Sequence, residues 1–312
     1  MQLARNLITM IRNYLVETTA VMEPRILSIQ SHVVSGYVGN KSAVFPMQLL
    51  GYDVDYINSV QFSNHTGYEH VKGQVISEQE LAQLLTGLQK NKLDQYSHLL
   101  TGYVGSPGFL KELVNTHKYL KSINPNLIFV CDPVMGDNGQ MYVPKELLPI
   151  YKESILPIAT ILFPNLFEAE LLTDIKVESE ANIWQIIEAL HSKGIETVCI
   201  SSAELPENIN NTLMVFASNK KLKLKLEVPK LPVSFTGTGD LFSALMLCFL
   251  QQSDLKESLE KTMAAMQAVL KRTYDYACQH GKNVKNMELK LVQSREDILN
   301  PKIVHRATVV EI

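Results

Sequence analysis

The chain is poor in cysteine, in charge imbalance and in long apolar runs. Its four cysteines, Cys131, Cys199, Cys248 and Cys278, stand far apart, with no C-x-x-C pair and no histidine at zinc-ligand spacing. That pattern argues against a disulfide framework or a cysteine-rich zinc module, and reads as reduced thiols in a cytosolic protein. The longest apolar run, "LFSALMLCFL" at 241–250, is about half the roughly 20 residues that a membrane helix needs. It reads as a buried helix, and no membrane association is expected. A net charge of -3 over 312 residues leaves no basic excess for nucleic acid. No internal repeat, low-complexity tract or linker-like composition shift divides the chain, and no G-x-x-x-x-G-K-[ST] phosphate loop is present.

What is present is alternation. Strand-like runs begin at Arg25: "RILSIQS", "VDYINSV", "YSHLLTGY", "LIFVCDPV", "TILFPN", "TVCISS" and "TLMVFAS". Several are almost continuously apolar, as strands covered on both faces of a parallel sheet must be. Helical patterns are expected over 41–50, 77–89, 108–121, 179–192, 239–250 and 255–274, with Ser77 and Glu80 forming a capping box and Ser179 an N-cap. Such alternation predicts an α/β fold: a doubly wound, mostly parallel sheet with helices on both faces. "KLKLKLEV" at 221–228 alternates strictly, and reads as an edge strand whose lysines face water. Residues 22–312 are expected to form a single domain. Residues 1–21 read as an N-terminal extension that need not be ordered. Arg5 and Arg12 leave a targeting segment open, but Glu17, few serines and no small-residue cleavage signal favour the extension.

In an open α/β sheet, ligands collect beyond the carboxyl ends of the strands. That rule selects Ser31, the stretch 58–66, residues 101–103, Asp132, Asn165, Glu168, Ser201 and Ser202. The segment "SFTGTGDLFSALML" at 234–247 suits the same place. A Gly-Thr-Gly turn lets amide groups converge at a helix start, where unpaired donors and the helix dipole favour an anion. Asp240 sits on the first helical turn, where a carboxylate can take a proton from an attacking hydroxyl. On local grounds alone the segment fits a capped core helix as well as an anion site. Asp132, after its strand, fits either a turn cap or a partner for a metal-bound nucleotide; Asp137 and Glu168 add oxygen donors suited to a hard cation such as Mg2+.

Taken in order, "LSIQSHVVSGYVGN", "NSVQFSNHTGY", "LTGY", "VCDPVMGD", "PNLFEAELL" and "FTGTGDLF" give the chain a resemblance to the pyridoxal kinases, vitamin B6 salvage enzymes of the ribokinase-like fold, from about Arg25 to the C-terminus. The resemblance implies transfer of the ATP γ-phosphoryl group to the 5'-hydroxymethyl oxygen of pyridoxal, pyridoxine or pyridoxamine. It implies Asp240 as general base and the amides of Gly237, Thr238 and Gly239 as anion hole. Ser31, Thr66 and Tyr103 would hold the pyridine ring, with Val38, Val60, Phe62 and His65 completing the pocket. Asp132, Asn165, Glu168, Ser201, Ser202 and Thr238 would surround the phosphates and cations, and Leu231, Val233 and Phe235 belong to the loop expected over adenine. The implied metal ligands are Asp132, Asp137, Glu168 and Ser201. Implied too are ATP as co-substrate, Mg2+ or another divalent cation, K+ or Na+, a homodimer and a cytoplasmic location. Two departures stand out: Phe163 where the family often carries threonine before "PN", and a short "NGQMYVP" segment after Asp137.

Overall fold

The computed structural model describes residues 24–204 and 212–311; the extension at 1–21 lies outside them. In chain order the main elements are β1 (Arg25–Val33), α1 (Asn40–Leu49), β2 (Asp53–Phe62), β3 (Gly73–Val75), α2 (Glu78–Lys90), β4 (His98–Thr101), α3 (Pro107–Ile123) and β5 (Ile128–Cys131). They continue with the ribbon β6 (Gly136–Asp137) and β7 (Gln140–Met141), α4 (Leu147–Ile150), β8 (Ile161–Leu162), α5 (Leu166–Thr173) and α6 (Glu180–Ser192). The last part comprises β9 (Thr197–Ala203), β10 (Thr212–Ser218), β11 (Lys223–Pro229), α7 (Thr238–Leu250), α8 (Leu255–His280), α9 (Arg295–Leu299) and β12 (Thr308–Val310).

Among the described residues, ten strands form one sheet in the order β12-β11-β10-β9-β8-β5-β4-β1-β2-β3. The stretch from β9 to β2 is parallel, and β3, β10, β11 and β12 add antiparallel margins. The chain steps from β1 outward to β2 and then crosses to β4 on the other side of β1, so a topological switch lies between β1 and β4, where a crevice opens. Period-two alternation distributes the strand residues between two cores. Leu27, Ile29, Leu99 and Phe129 pack into one with helices such as α2, α3 and α6. Ile26, Leu100 and Val130 pack into the other with α1, α7 and α8. Helix α7 is buried from Leu241 to Phe249, as a helix apolar on every side must be.

The capping box at Ser77 forms as expected, with the Glu80 amide and side chain both engaged. Ser179 does precede α6, but its hydroxyl donates to Asn182 Oδ1 instead of capping an amide. The edge-strand expectation for "KLKLKLEV" is corrected. β12 pairs with Lys223–Lys225 of β11, so that part of the strand is not at the sheet's edge. Nor do its lysines simply face water: Lys223 reaches Glu188 at 2.7 Å and lies over the Trp184 ring, and Lys225 meets Glu180 at 3.1 Å. Helix α6 covers that face, so the aliphatic stems pack while the ammonium groups find carboxylates at its margin.

A buried polar knot ties α1 to the carboxyl ends of β1 and β2. Asn40, 1% exposed, donates through Nδ2 to Ile57 O and Asn58 Oδ1, both at 2.9 Å, and accepts from Ser28 Oγ at 2.7 Å. Removing that amide strands donor and acceptor groups that water cannot reach. Asn40→Ala is therefore expected to lower unfolding free energy by about 2–3 kcal/mol, seen in urea as a lower midpoint at an unchanged slope. A loss below about 0.5 kcal/mol would mean that the network is not structural.

Candidate active site

At the carboxyl ends of β1, β2, β4, β5, β8 and β9 the structure opens a cleft of about 590 Å³. Part of its lining is built around the start of α7. Gly237 is the N-cap, at φ +83, and no side chain caps the helix, which leaves the first amides available to an anion in the cleft. The turn is locked by close approach: a Cβ on Gly237 would stand 2.0 Å from the Tyr37 carbonyl oxygen. Ser42 Oγ donates to the Gly237 carbonyl at 3.0 Å from the neighbouring helix α1. Asp240, half-buried on the first turn, accepts the Gly39 amide at 2.7 Å through Oδ2. Burial raises its pKa above the ordinary aspartate value, and the Gly39 hydrogen bond opposes this. Gly39 is itself pressed on Ser31, since a Cβ there would meet the Ser31 carbonyl oxygen at 2.0 Å.

Another part of the lining is acidic. Asp132 is buried and accepts from Ser243 Oγ at 2.9 Å through Oδ2, leaving Oδ1 with no hydrogen bond among the described residues. Its pKa is raised by burial and by the nearby Glu168 and Asp240 carboxylates. Glu168 is buried too, and its oxygens are occupied: Oε1 accepts the Met135 amide and Oε2 the Asn165 amide, both at 2.9 Å. The second bond closes a capping box at the start of α5, in which Asn165 Oδ1 accepts the Glu168 amide. Asn165 Nδ2 reaches the Gly136 carbonyl at 2.7 Å and so pins the β6–β7 ribbon to the wall. Asp137, exposed on that ribbon, accepts from Asn138 through both oxygens. The three-acid metal cluster suggested by the sequence does not form. Among the described residues, no three His, Cys, Asp or Glu side chains gather closely enough to hold an ion. The donor set still suits Mg2+, which binds through one or two carboxylates, waters and substrate phosphates. Phe163 packs edge-on against Phe242 at 5.6 Å, so the wall is apolar there and offers no side-chain oxygen to K+ or Na+.

A further part of the lining forms a slot. Val38 and Val60 are buried, Phe62 and Tyr103 are partly buried, and Ser31, His65 and Thr66 also line it. Ser59 Oγ donates to the Tyr103 carbonyl at 2.7 Å and fixes that turn; burial raises the Tyr103 pKa, which keeps its hydroxyl protonated. A flat heterocycle needs such apolar walls with few polar partners. The cleft thus gathers nearly all the residues expected of it, including Ser201, joined to Asn165 by a strand-like bridge, and Phe235. Three stand apart from its lining. Ser202 is exposed at φ +57, Val233 lines an adjoining cavity of about 410 Å³, and Leu231 borders neither. The cleft also includes Val33, Val134, Tyr142 and Thr236, which sequence reading passed over. Thr236 lies inside "FTGTGDLF" and could have been included on position alone. Tyr142 reaches the cleft only because the ribbon folds back, which no local pattern reveals.

An uncapped helix start facing a half-buried carboxylate, at the switch point of a doubly wound sheet, defines a small-molecule kinase of the ribokinase-like class. A model of the phosphomethylpyrimidine kinase family matches residues 57–286. Pyridoxal kinase of Arabidopsis thaliana is 48% identical over 289 residues, covering 89% of this chain and 92% of its own. Human pyridoxal kinase is 44% identical over 309 residues, covering 92% and 99%. The solved structure of pyridoxal kinase from Leishmania donovani in complex with ADP and pyridoxamine superposes with a TM-score of 0.86 at 32% identity, over 92% of this chain and 99% of that one. The chain belongs to the pyridoxal kinase family.

The Gly237 turn can be tested directly. Gly237→Ala, facing both the Tyr37 carbonyl and a positive φ, is expected to displace the helix start and lower turnover by about 100-fold or more. Gly194→Ala is the control, since φ is +106 but nothing lies within 4 Å; it should cost only about 1 kcal/mol of stability and leave turnover intact. Equal turnover in the two variants would rule out the turn as an anion hole.

Proposed function

We propose that this chain phosphorylates the 5'-hydroxymethyl oxygen of pyridoxal, pyridoxine and pyridoxamine with ATP, giving the 5'-phosphates. The observation that carries this reading is the juxtaposition of Asp240 with the uncapped α7 amides in one cleft with an apolar slot, joined to it through the Val38–Gly39 turn. Ser31, Thr66 and Tyr103 hold the ring, with Val38, Val60, Phe62 and His65 enclosing it. The ring's hydroxymethyl group is thereby directed toward Asp240. Asp240 accepts the hydroxyl proton as the oxygen attacks the γ-phosphorus. The bond to the β,γ-bridging oxygen breaks, and ADP leaves with that electron pair. Amides of Gly237, Thr238 and Gly239 meet the charge on the transferring group, where low dielectric strengthens each hydrogen bond.

Asp132, Asn165, Ser201 and Thr238 line the path for the ATP phosphates, and Phe235 lies toward adenine with Leu231, Val233 and Ser202 farther out. Asp132, with Asp137 or Ser201, would hold a divalent cation, which when bound supplies neutralisation of phosphate charge. Glu168 acts in this reading as the clamp of the wall, since its oxygens already serve backbone amides. The enzyme is taken to work in the cytosol as a homodimer. Buried thiols at Cys131, Cys199 and Cys248 and an unpaired, exposed Cys278 suit a reducing compartment. No helix among the described residues is long and apolar enough to cross a membrane.

Asp240→Asn, nearly isosteric, is expected to lose about 10²–10⁴-fold in kcat with KM for ATP little changed; near-normal turnover would reject Asp240 as base. In the native chain, kcat should fall on acidification along a limb centred above the ordinary aspartate value of 3.8, because burial favours protonated Asp240 and a protonated base accepts nothing. A substrate panel tests the ring: preference for a pyrimidine alcohol over pyridoxal, the outcome that the matching family model's description invites, would overturn the vitamer assignment.

A further inference from the structure

One buried carboxylate outside the phosphoryl-transfer reading stands at a junction of loops. Glu288 follows the turn Val284–Met287, far along the chain from the slot, and its side chain is 11% exposed. Its Oε2 accepts the Tyr37 amide at 2.9 Å, and its Oε1 accepts the Tyr68 hydroxyl at 3.0 Å and lies 3.2 Å from His65 Nε2. His65 Nδ1 accepts the Gly67 amide at 3.1 Å, so the ring proton sits on Nε2 and points at Glu288. The His65 and Tyr68 rings lie tilted against each other, 4.9 Å apart. Gly36, at φ +98, makes the approach possible, because a Cβ there would stand 2.4 Å from Oε1.

These partners belong to two separate arms of the slot. Tyr37 leads directly into Val38, a wall of the slot, and Gly39, whose amide holds Asp240. His65 leads directly into Thr66, on the other arm. A carboxylate withdrawn from water requires hydrogen bonds in return, and here it takes them from both arms at once. Burial would raise the Glu288 pKa, but bonds from His65, the Tyr37 amide and Tyr68 outweigh it and hold the group below its ordinary range. Glu288 does not line the cleft; it borders the adjoining cavity, so any effect on substrate passes through the arms.

We propose that Glu288 is a positioning residue that sets the separation of the 36–39 and 65–68 turns, and with it the width of the slot between Val38 and Thr66. The inference rests on the proposed function, because the slot's occupant is taken to be the vitamer ring. It makes Glu288 selective in effect: the arms it joins belong to the ring end of the cleft, whereas Asp132, Asn165 and Ser201 on the phosphate wall make no contact with it.

The test uses the full chain with Glu288→Gln and Tyr68→Phe. Gln keeps the volume but cannot accept from three donors, while Tyr68→Phe removes one bond alone. Expected for Glu288→Gln is a rise in pyridoxal KM of about tenfold or more, matched by weaker pyridoxal binding in calorimetry, with ATP KM within about twofold of wild type. Tyr68→Phe should show the same selectivity at smaller size. A merely structural role would lower the thermal midpoint and move both KM values together or neither, and that result in the two variants overturns the proposal. If Glu288→Gln does not fold, an unmoved pyridoxal KM in Tyr68→Phe overturns it alone. Wild-type chain assayed alongside separates the two claims. Absence of pyridoxal turnover there overturns the proposed function, whereas normal turnover beside unaltered variants overturns the role of Glu288.

Discussion

The contact on which the site depends is the 2.7 Å hydrogen bond from the Gly39 amide to Asp240. It joins the loop after β1 to the first turn of α7, segments 201 residues apart in sequence, and each side of the joint is built for close approach. Gly39 and Gly237 both have positive φ, and at both a Cβ would collide with backbone at 2.0 Å. Backbone therefore meets backbone where side chains would otherwise hold the segments apart. Neither half can shift alone, since α1 begins at Asn40, in the buried polar knot, and α7 is enclosed by the second core. The packed helix supplies rigidity, the glycines supply proximity, and the carboxylate orientation follows from both. A carboxylate held in this way would need no reorganisation for the proton transfer proposed for Asp240.

Much of this was legible in the sequence because its causes are local. Apolar runs such as "RILSIQS" declare strands covered on both faces, and the capping signature at Ser77 marks a helix start by chemistry that acts over three residues. The sheet's margin was misread for an equally physical reason. Strict alternation in "KLKLKLEV" says only that the two faces differ. It cannot say that β12, some eighty residues later, pairs along the first half of the strand, or that α6 brings Glu180 and Glu188 to the lysines. At the site, residues within the short motifs were found together in the cleft, whereas long-range folding brings Tyr142 to it and Glu288 to the loops beside it. Glu168 shows a subtler limit. Its position after "PN" suggested an acid facing phosphate, but the same spacing to Asn165 is that of a capping box, and the structure shows both oxygens serving amides.

Buried acids also constrain the energetics. Asp132, Glu168 and Asp240 all have pKa values raised chiefly by burial, and Asp132 feels both other charges. The sign follows from proton counting. Between the ordinary carboxylate range and these raised values, the folded state binds protons that the unfolded chain has released, so stability contributed by this wall falls as pH rises through that window. A protein selected only for stability would place apolar residues there, as the rest of both cores does. The acids are instead kept beside the start of α7, which has no side-chain cap and whose positive dipole end borders the same cleft. A site arranged this way is poorly balanced when empty. In the proposed reaction its charges would become compatible when phosphate oxygens and a neutralising cation enter together, the cation offsetting the carboxylates and the amides meeting the phosphate. Under the proposed function, the same groups that cost stability in the open cleft would favour the paired arrival of nucleotide and metal over either one alone.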